Sequence, residues 1–105
     1  MDAVTALSGS GPAYLFYLVE AMASAGEALG LPTKLSQKLA LETISGSAAL
    51  LKKSKSSATD LRKNVTSPGG TTSAALEVMM AEDGLAKIMR KAMQQAKARS
   101  KELAQ

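Results

Sequence analysis

A chain of 105 residues with 13 basic and 9 acidic side chains carries a net charge of +4 and contains neither cysteine nor histidine. Such a composition excludes disulfide frameworks, thiolate catalysis and zinc-finger sites, and it removes both the usual general base and the commonest metal ligand, so no metal is expected. The length suits one domain over residues 1–105, yet it falls short of the size at which a chain buries most of its own surface.

Alanine, leucine, methionine, lysine and glutamate abound while tyrosine, phenylalanine, valine and isoleucine are scarce, which predicts an all-α helical domain. The aromatics Tyr14, Phe16 and Tyr17 cluster in one apolar run that reads as core. Nothing alternates with the lysines to build a base-stacking platform, so the moderate positive charge does not imply nucleic acid. No apolar stretch approaches the roughly 20 residues that span a bilayer. Asp2 stands where a signal peptide would carry positive charge, and the expected location is the cytoplasm.

Residues Asp2 to Leu7 read as a short helical or extended lead-in, interrupted by Ser8-Gly9-Ser10-Gly11-Pro12, whose glycines and proline allow a sharp change of direction. A long helix follows from Ala13 to Leu29, ended by Gly30 and Pro32. Its strongly polar residues, Glu20, Ser24 and Glu27, fall on one face. A helix with so narrow a polar stripe must be covered on most sides, and a chain this small has too few other helices to do so. The cheapest cover is a second copy around a two-fold axis, which predicts an obligate, interlocked homodimer.

A second helix is predicted from Thr33 to Lys53, with Leu35, Leu39, Thr43, Gly46 and Leu50 along one face and small residues from Ser45 to Ala49 that suit a close helix crossing. Lys52, Lys53 and Lys55 follow near its C-terminus, where positive charge is favoured, and read as solvated rather than as a phosphate site. Ser57 or Thr59 would cap a short helical turn through Leu61 and Arg62. A helix from Thr72 to about Met80 comes next, then a turn at Glu82-Asp83-Gly84. The last helix carries Leu85, Ile88, Met89, Ala92, Met93 and Ala96 at helical spacing, with lysines and arginines opposite. Its methionines suit core or interface filling better than a ligand box.

Between the short and the following helix lies Lys63-Asn64-Val65-Thr66-Ser67-Pro68-Gly69-Gly70-Thr71-Thr72, adjacent glycines flanked by hydroxyl residues and running into Ala74-Ala75-Leu76. Free N–H groups at a helix N-terminus favour an anion, and glycine lets a ligand approach the main chain. The segment is a candidate cradle for a small carboxylate or phosphate, with Ser67, Thr71 and Thr72 adding hydroxyls. An ordinary turn followed by a threonine N-cap would leave much the same pattern. Gly9-Ser10-Gly11 is not a dinucleotide fingerprint, because Tyr14 stands where the third glycine belongs and no buried strand precedes it. No Gly-Lys-Ser phosphate loop is present either.

Two long motifs, Asp2-Ala3-Val4-Thr5-Ala6-Leu7-Ser8-Gly9-Ser10-Gly11-Pro12-Ala13-Tyr14 and Val65-Thr66-Ser67-Pro68-Gly69-Gly70-Thr71-Thr72, together resemble the C-terminal domain of the pyrroline-5-carboxylate reductase family. Ala28-Leu29-Gly30-Leu31-Pro32, Asp60-Leu61-Arg62 and Arg99-Ser100-Lys101-Glu102-Leu103 match its layout, so the resemblance covers essentially the whole chain. It implies an N-terminal Rossmann domain that binds NADPH or NADH, absent from this sequence, and a helical C-terminal domain that dimerises by interlocking helices and completes the active site. The implied reaction is reduction of the cyclic imine 1-pyrroline-5-carboxylate to L-proline.

The same resemblance places the substrate carboxylate on Ser67, Gly69, Gly70 and the main-chain N–H groups of Thr71 and Thr72, with the Thr72 hydroxyl near the imine nitrogen as the catalytic group. Asn64 and Val65 would line the nicotinamide side of the pocket. Higher assembly into rings of dimers is a further implied state, and the chain alone is expected to be inactive. Residues Lys53 to Ala58 depart from the family in lacking the loop's His-Pro, and Lys55 lies where some members carry an acid, so no proton-relay role is carried over. The competing reading is a stand-alone helical dimerisation module whose cradle only starts a helix.

Overall fold

Proline and glycine punctuation sets where the helices begin and end. The structure is a computed structural model that describes residues 1–105. It is 78% helical without a strand, as the composition predicts, and it divides into two compact units, residues 12–58 and residues 1–11 with 59–105.

In the first of these, a helix spanning Gly11–Ala28, called α2 after the short N-terminal helix α1 (Asp2–Val4), leads to α3, Thr33–Lys53. Pro12 sits in the first turn of α2, where its missing N–H costs no helical hydrogen bond. The helix ends at Gly30, whose φ of +100° is left-handed. Leu31 N–H donates to the Gly26 carbonyl at 3.1 Å and Gly30 N–H to that of Glu27 at 2.9 Å, the paired bonds of a Schellman stop. Pro32 then holds an extended backbone before Thr33, and Ser36 N–H donates to its carbonyl at 2.9 Å to begin α3. The chain turns closely here because Gly26 has no side chain. A Cβ at that position would meet Ser36 Oγ at 3.0 Å and Ser36 Cβ at 3.3 Å. Lys52 and Lys53 lie in the last turn of α3 and are exposed, in line with the solvated reading.

Burial in this unit is confined to Ala23, Ser36 and Ala40. The aromatic run read as core is not core within the single chain, since Phe16 and Tyr17 are 68% and 70% exposed. Leu15, Leu18 and Met22 are likewise open. The physical reason is the one that predicted a partner, namely that α3 meets α2 near the Gly26–Ser36 corner and leaves most of its apolar surface uncovered.

In the other unit the lead-in is helical throughout. After α1 a π-helical segment, Thr5–Gly9, widens the turn so that Ser10 N–H reaches the Thr5 carbonyl at 2.8 Å. Ser10, with φ −84° and ψ −16°, is a bend between this segment and α2, at the place where the sequence predicts an interruption. This lead-in packs on α6, Leu85–Leu103. Ala6 is 2% exposed against it, and Ser100 Oγ donates to Asp2 Oδ1 at 2.7 Å, joining the two ends of the sequence. Met89 and Met93 are half-buried and line an open groove with Ala3 and Ala6, which fits the filling role expected of them. The ion pair Arg99–Glu102 at 2.9 Å is solvent-exposed and adds little stability.

Between lead-in and α6 in sequence come α4, Ala58–Asn64, and α5, Thr71–Met79. The α5–α6 turn closes with Gly84 N–H donating to the Ala81 carbonyl at 2.8 Å. The chain exposes 8365 Å² in all. A globular monomer of this mass exposes about 5,500 Å², so the excess is about 2,800 Å². No helix is long and apolar enough to cross a membrane.

Candidate functional site

The α4–α5 connection is built from three local devices. At its entry Thr66 N–H donates to the Lys63 carbonyl at 3.1 Å, and the Thr66 hydroxyl donates to the Arg62 carbonyl at 2.6 Å. Next, Gly70 N–H donates to the Ser67 carbonyl at 3.0 Å, closing a four-residue turn. Pro68 supplies the second position and Gly69, with φ +71°, the left-handed third, the signature of a type II turn. Last, Gly70 is the N-cap of α5 with an extended backbone, φ −85° and ψ −176°.

Gly70 has no side chain to cap the helix, and neither Thr71 nor Thr72 does so. The threonine N-cap weighed from the sequence is therefore not what starts α5; the helix begins at Thr71, one residue earlier than expected. Its first main-chain bond is Ala74 N–H to the Gly70 carbonyl at 3.1 Å. The N–H groups of Thr71, Thr72 and Ser73 have no acceptor within the chain. They point out of the helix start as donors, with the helix dipole behind them.

All the predicted substrate-binding residues thus fall on one turn and the helical turn after it. Ser67, Gly69 and Thr71 are exposed, while Gly70 and Thr72 are half-buried. The close approach at Gly70 is steric, since a Cβ there would meet the Ser67 carbonyl oxygen at 3.2 Å and Ser67 Cβ at 3.5 Å. Asn64 closes α4 and Val65 follows it, both exposed. Arg62 and Lys63 lie at the entry to the loop while the acids Asp60 and Glu77 flank it, so the free main-chain N–H groups, not side-chain charge, are what favour an anion here. A neighbouring depression of about 360 Å³ is lined by Thr66, Ser73, Leu76 and Glu77 among others, but not by Ser67, Thr71 or Thr72. The cradle itself lies on open surface.

Alanine at Gly69 should cost about 1–2 kcal/mol, the penalty of a left-handed conformation for an L residue with a Cβ. Urea unfolding of the two proteins at equal concentration measures it, and an unchanged midpoint would mean the turn re-forms in another type.

This segment and the lead-in both lie within a known sequence pattern. The family model described as pyrroline-5-carboxylate reductase dimerisation matches residues 1–103. The chain belongs to this family. It is 46% identical over 105 residues to the pyrroline-5-carboxylate reductase of Pseudomonas aeruginosa, covering 100% of this chain and 38% of that one. With the Arabidopsis thaliana enzyme the identity is 45% over 104 residues, 99% and 37% of the two chains. Among solved structures, Plasmodium falciparum pyrroline carboxylate reductase with NADP bound superposes with a TM-score of 0.92 at 36% identity, over 100% of this chain and 40% of that one. The reductase of Coxiella burnetii gives 0.91 at 41% identity, over 97% and 37%. The chain therefore spans well under half the length of these relatives.

Helical geometry and sequence agree on the dimerisation-family fold, and they also show what the residues here do not make. A dinucleotide is gripped where a strand runs through glycines into a helix. Here Gly9 lies in the π-helical segment, Gly11 opens α2, and the protein contains no strand. The chain's own residues do not fit a dinucleotide-binding unit.

One residue of the site was not singled out from the sequence. Thr66 was read only as part of the motif, although a threonine four residues after Arg62 at a helix end is the pattern for a side-chain bond back to the main chain.

Proposed function

We propose that this chain is the dimerisation and substrate-carboxylate domain, residues 1–105, of a reductase that converts 1-pyrroline-5-carboxylate to L-proline with NADPH or NADH. The supporting observation is the row of free N–H groups at Thr71, Thr72 and Ser73 set behind the Ser67–Gly70 turn. In this reading the carboxylate lies on the Thr71 and Thr72 N–H groups and the Ser67 hydroxyl, with Gly69 and Gly70 giving it access to the main chain. The ring nitrogen then faces the Thr72 hydroxyl.

The nicotinamide cofactor, held mainly by residues outside this chain, would supply a hydride to the imine carbon. Asn64 and Val65 border that side of the pocket. Thr72 is too weak an acid to release its proton at neutral pH, so its part is to hold the ring nitrogen by a hydrogen bond and to order a proton-bearing water there. The turn's fixed dipoles hold the carboxylate while charge shifts in the ring. With no dinucleotide unit of its own, the chain should not oxidise NADPH in the presence of substrate.

The surface excess supports a homodimer. Hiding about 2,800 Å² on each of two protomers buries roughly 5,600 Å² in total, a size found among obligate homodimers. Rings of dimers in the cytoplasm are the larger assembly this reading carries.

Titration with L-proline, followed by amide resonances, tests the site. Shifts should concentrate at Thr71, Thr72 and Ser73, and Ser67→Ala should weaken binding about fivefold through loss of one hydrogen bond to the carboxylate. Absence of any shift at these amides up to saturating proline would leave a helical dimerisation module without a ligand.

A further inference from the structure

We infer that Thr66 is the positioning residue of the carboxylate cradle, a role that rests on the substrate-carboxylate reading above. Thr66, Ser67, Thr71, Thr72 and Ser73 are the five hydroxyl residues of this stretch, and their hydrogen bonds divide them sharply. Thr66 Oγ1 donates to the Arg62 carbonyl at 2.6 Å, whereas Ser67, Thr71, Thr72 and Ser73 make no side-chain bond within the chain. One hydroxyl is spent on holding the loop. The others are left for a ligand.

The location of that bond gives it leverage. Arg62 O otherwise receives only Val65 N–H, at a long 3.3 Å, and Lys63 O receives Thr66 N–H at 3.1 Å. The α4 helix therefore ends in weak main-chain bonds, and the short, half-buried side-chain bond of Thr66 is the strongest tie there. The residue after it, Ser67, opens the turn that Gly70 N–H closes. The Ser67–Gly70 turn is closed on itself and gripped at its entry, so a rotation at Thr66 would carry Ser67 and the turn together away from the Thr71 and Thr72 N–H groups. The hydroxyl of Thr66 prevents that rotation without touching the ligand.

Valine keeps the branched shape of threonine and removes only the hydroxyl, while serine keeps the hydroxyl and removes only the methyl. In Thr66→Val the Gly70 amide, whose bond closes the turn, should exchange with solvent about fivefold faster, and L-proline should bind about fivefold more weakly, each being the loss of roughly one hydrogen bond. Amides in the middle of α3 should exchange as before. Thr66→Ser should restore both properties, which a role confined to packing of the methyl would not. Should Thr66→Val fail to fold, Thr66→Ala carries the same readouts.

Undiminished proline binding and unchanged Gly70 exchange in Thr66→Val would overturn the role of Thr66 alone. Faster Gly70 exchange in Thr66→Val, with no proline-induced shift even in the unsubstituted protein, would overturn the carboxylate reading, and the positioning role with it.

Discussion

Replacing Phe16 with aspartate is expected to shift the protein from twice its 10.8 kDa chain mass to the chain mass itself in light scattering. Phe16 is 68% exposed in the single chain, on a helix where Leu15, Leu18 and Met22 are open as well. Covering such a side chain stabilises by about 2–3 kcal/mol in each protomer. Aspartate forfeits that gain and brings a charge into an apolar contact, which costs more still. Circular dichroism separates dissociation from unfolding, because a dissociated variant should keep most of the chain's helix content. A persistent monomer for the unsubstituted chain across a dilution series would remove the dimer and with it the expected cover for α2.

Gly84→Ala should be the most damaging single-methyl change, at about 3 kcal/mol. Gly84 has φ −81°, a value open to any residue, so the constraint is not conformational. It is steric: a Cβ there would overlap the Met79 carbonyl oxygen and lie 2.8 Å from the Ala81 carbonyl oxygen, both of them main chain. Relief requires moving the end of α5 against the start of α6. For a domain of about 100 residues the thermal midpoint should fall by roughly 15 °C, measured at matched protein concentration because dimerisation would contribute to stability. A loss below about 0.5 kcal/mol, the size of an ordinary surface change, would mean that the Met80–Gly84 turn relaxes freely.

Much of the fold was legible because its punctuation is local. The bounds Thr33–Lys53 follow from Pro32 in front and the polar Ser54-Lys55-Ser56 run behind, and the structure has α3 over the same residues. Gly30 stops α2 for a reason a sequence shows, since a left-handed cap wants glycine. The Ser67–Gly70 turn was legible in the same way, through Pro68 and Gly69 at the positions a type II turn demands.

Other features were not legible. Ser8-Gly9-Ser10 read as an interruption and the helix does break at the Ser10 bend, but composition gives no sign that Thr5–Gly9 before it winds as a π-helix. A threonine cap and the bare glycine cap of α5 also look alike in sequence, because hydroxyl residues stand on both sides of the glycines. The aromatic run at Tyr14–Tyr17 read as core because apolarity signals burial without saying which chain provides the cover.

By itself the sequence determined the helical class, the family and the limits of α3, since local pattern and punctuation along the chain carry them. Only the tertiary structure decided the rest. It placed the lead-in on α6 through Ala6 and the Asp2–Ser100 bond, two contacts made across almost the full length of the chain. It left Phe16 and Tyr17 without cover, and it gave the Thr66 hydroxyl to Arg62 while freeing those of Ser67 and Thr72. Which hydroxyl is bound and which is available depends on where a carbonyl lies in three dimensions, and residue type does not encode that position.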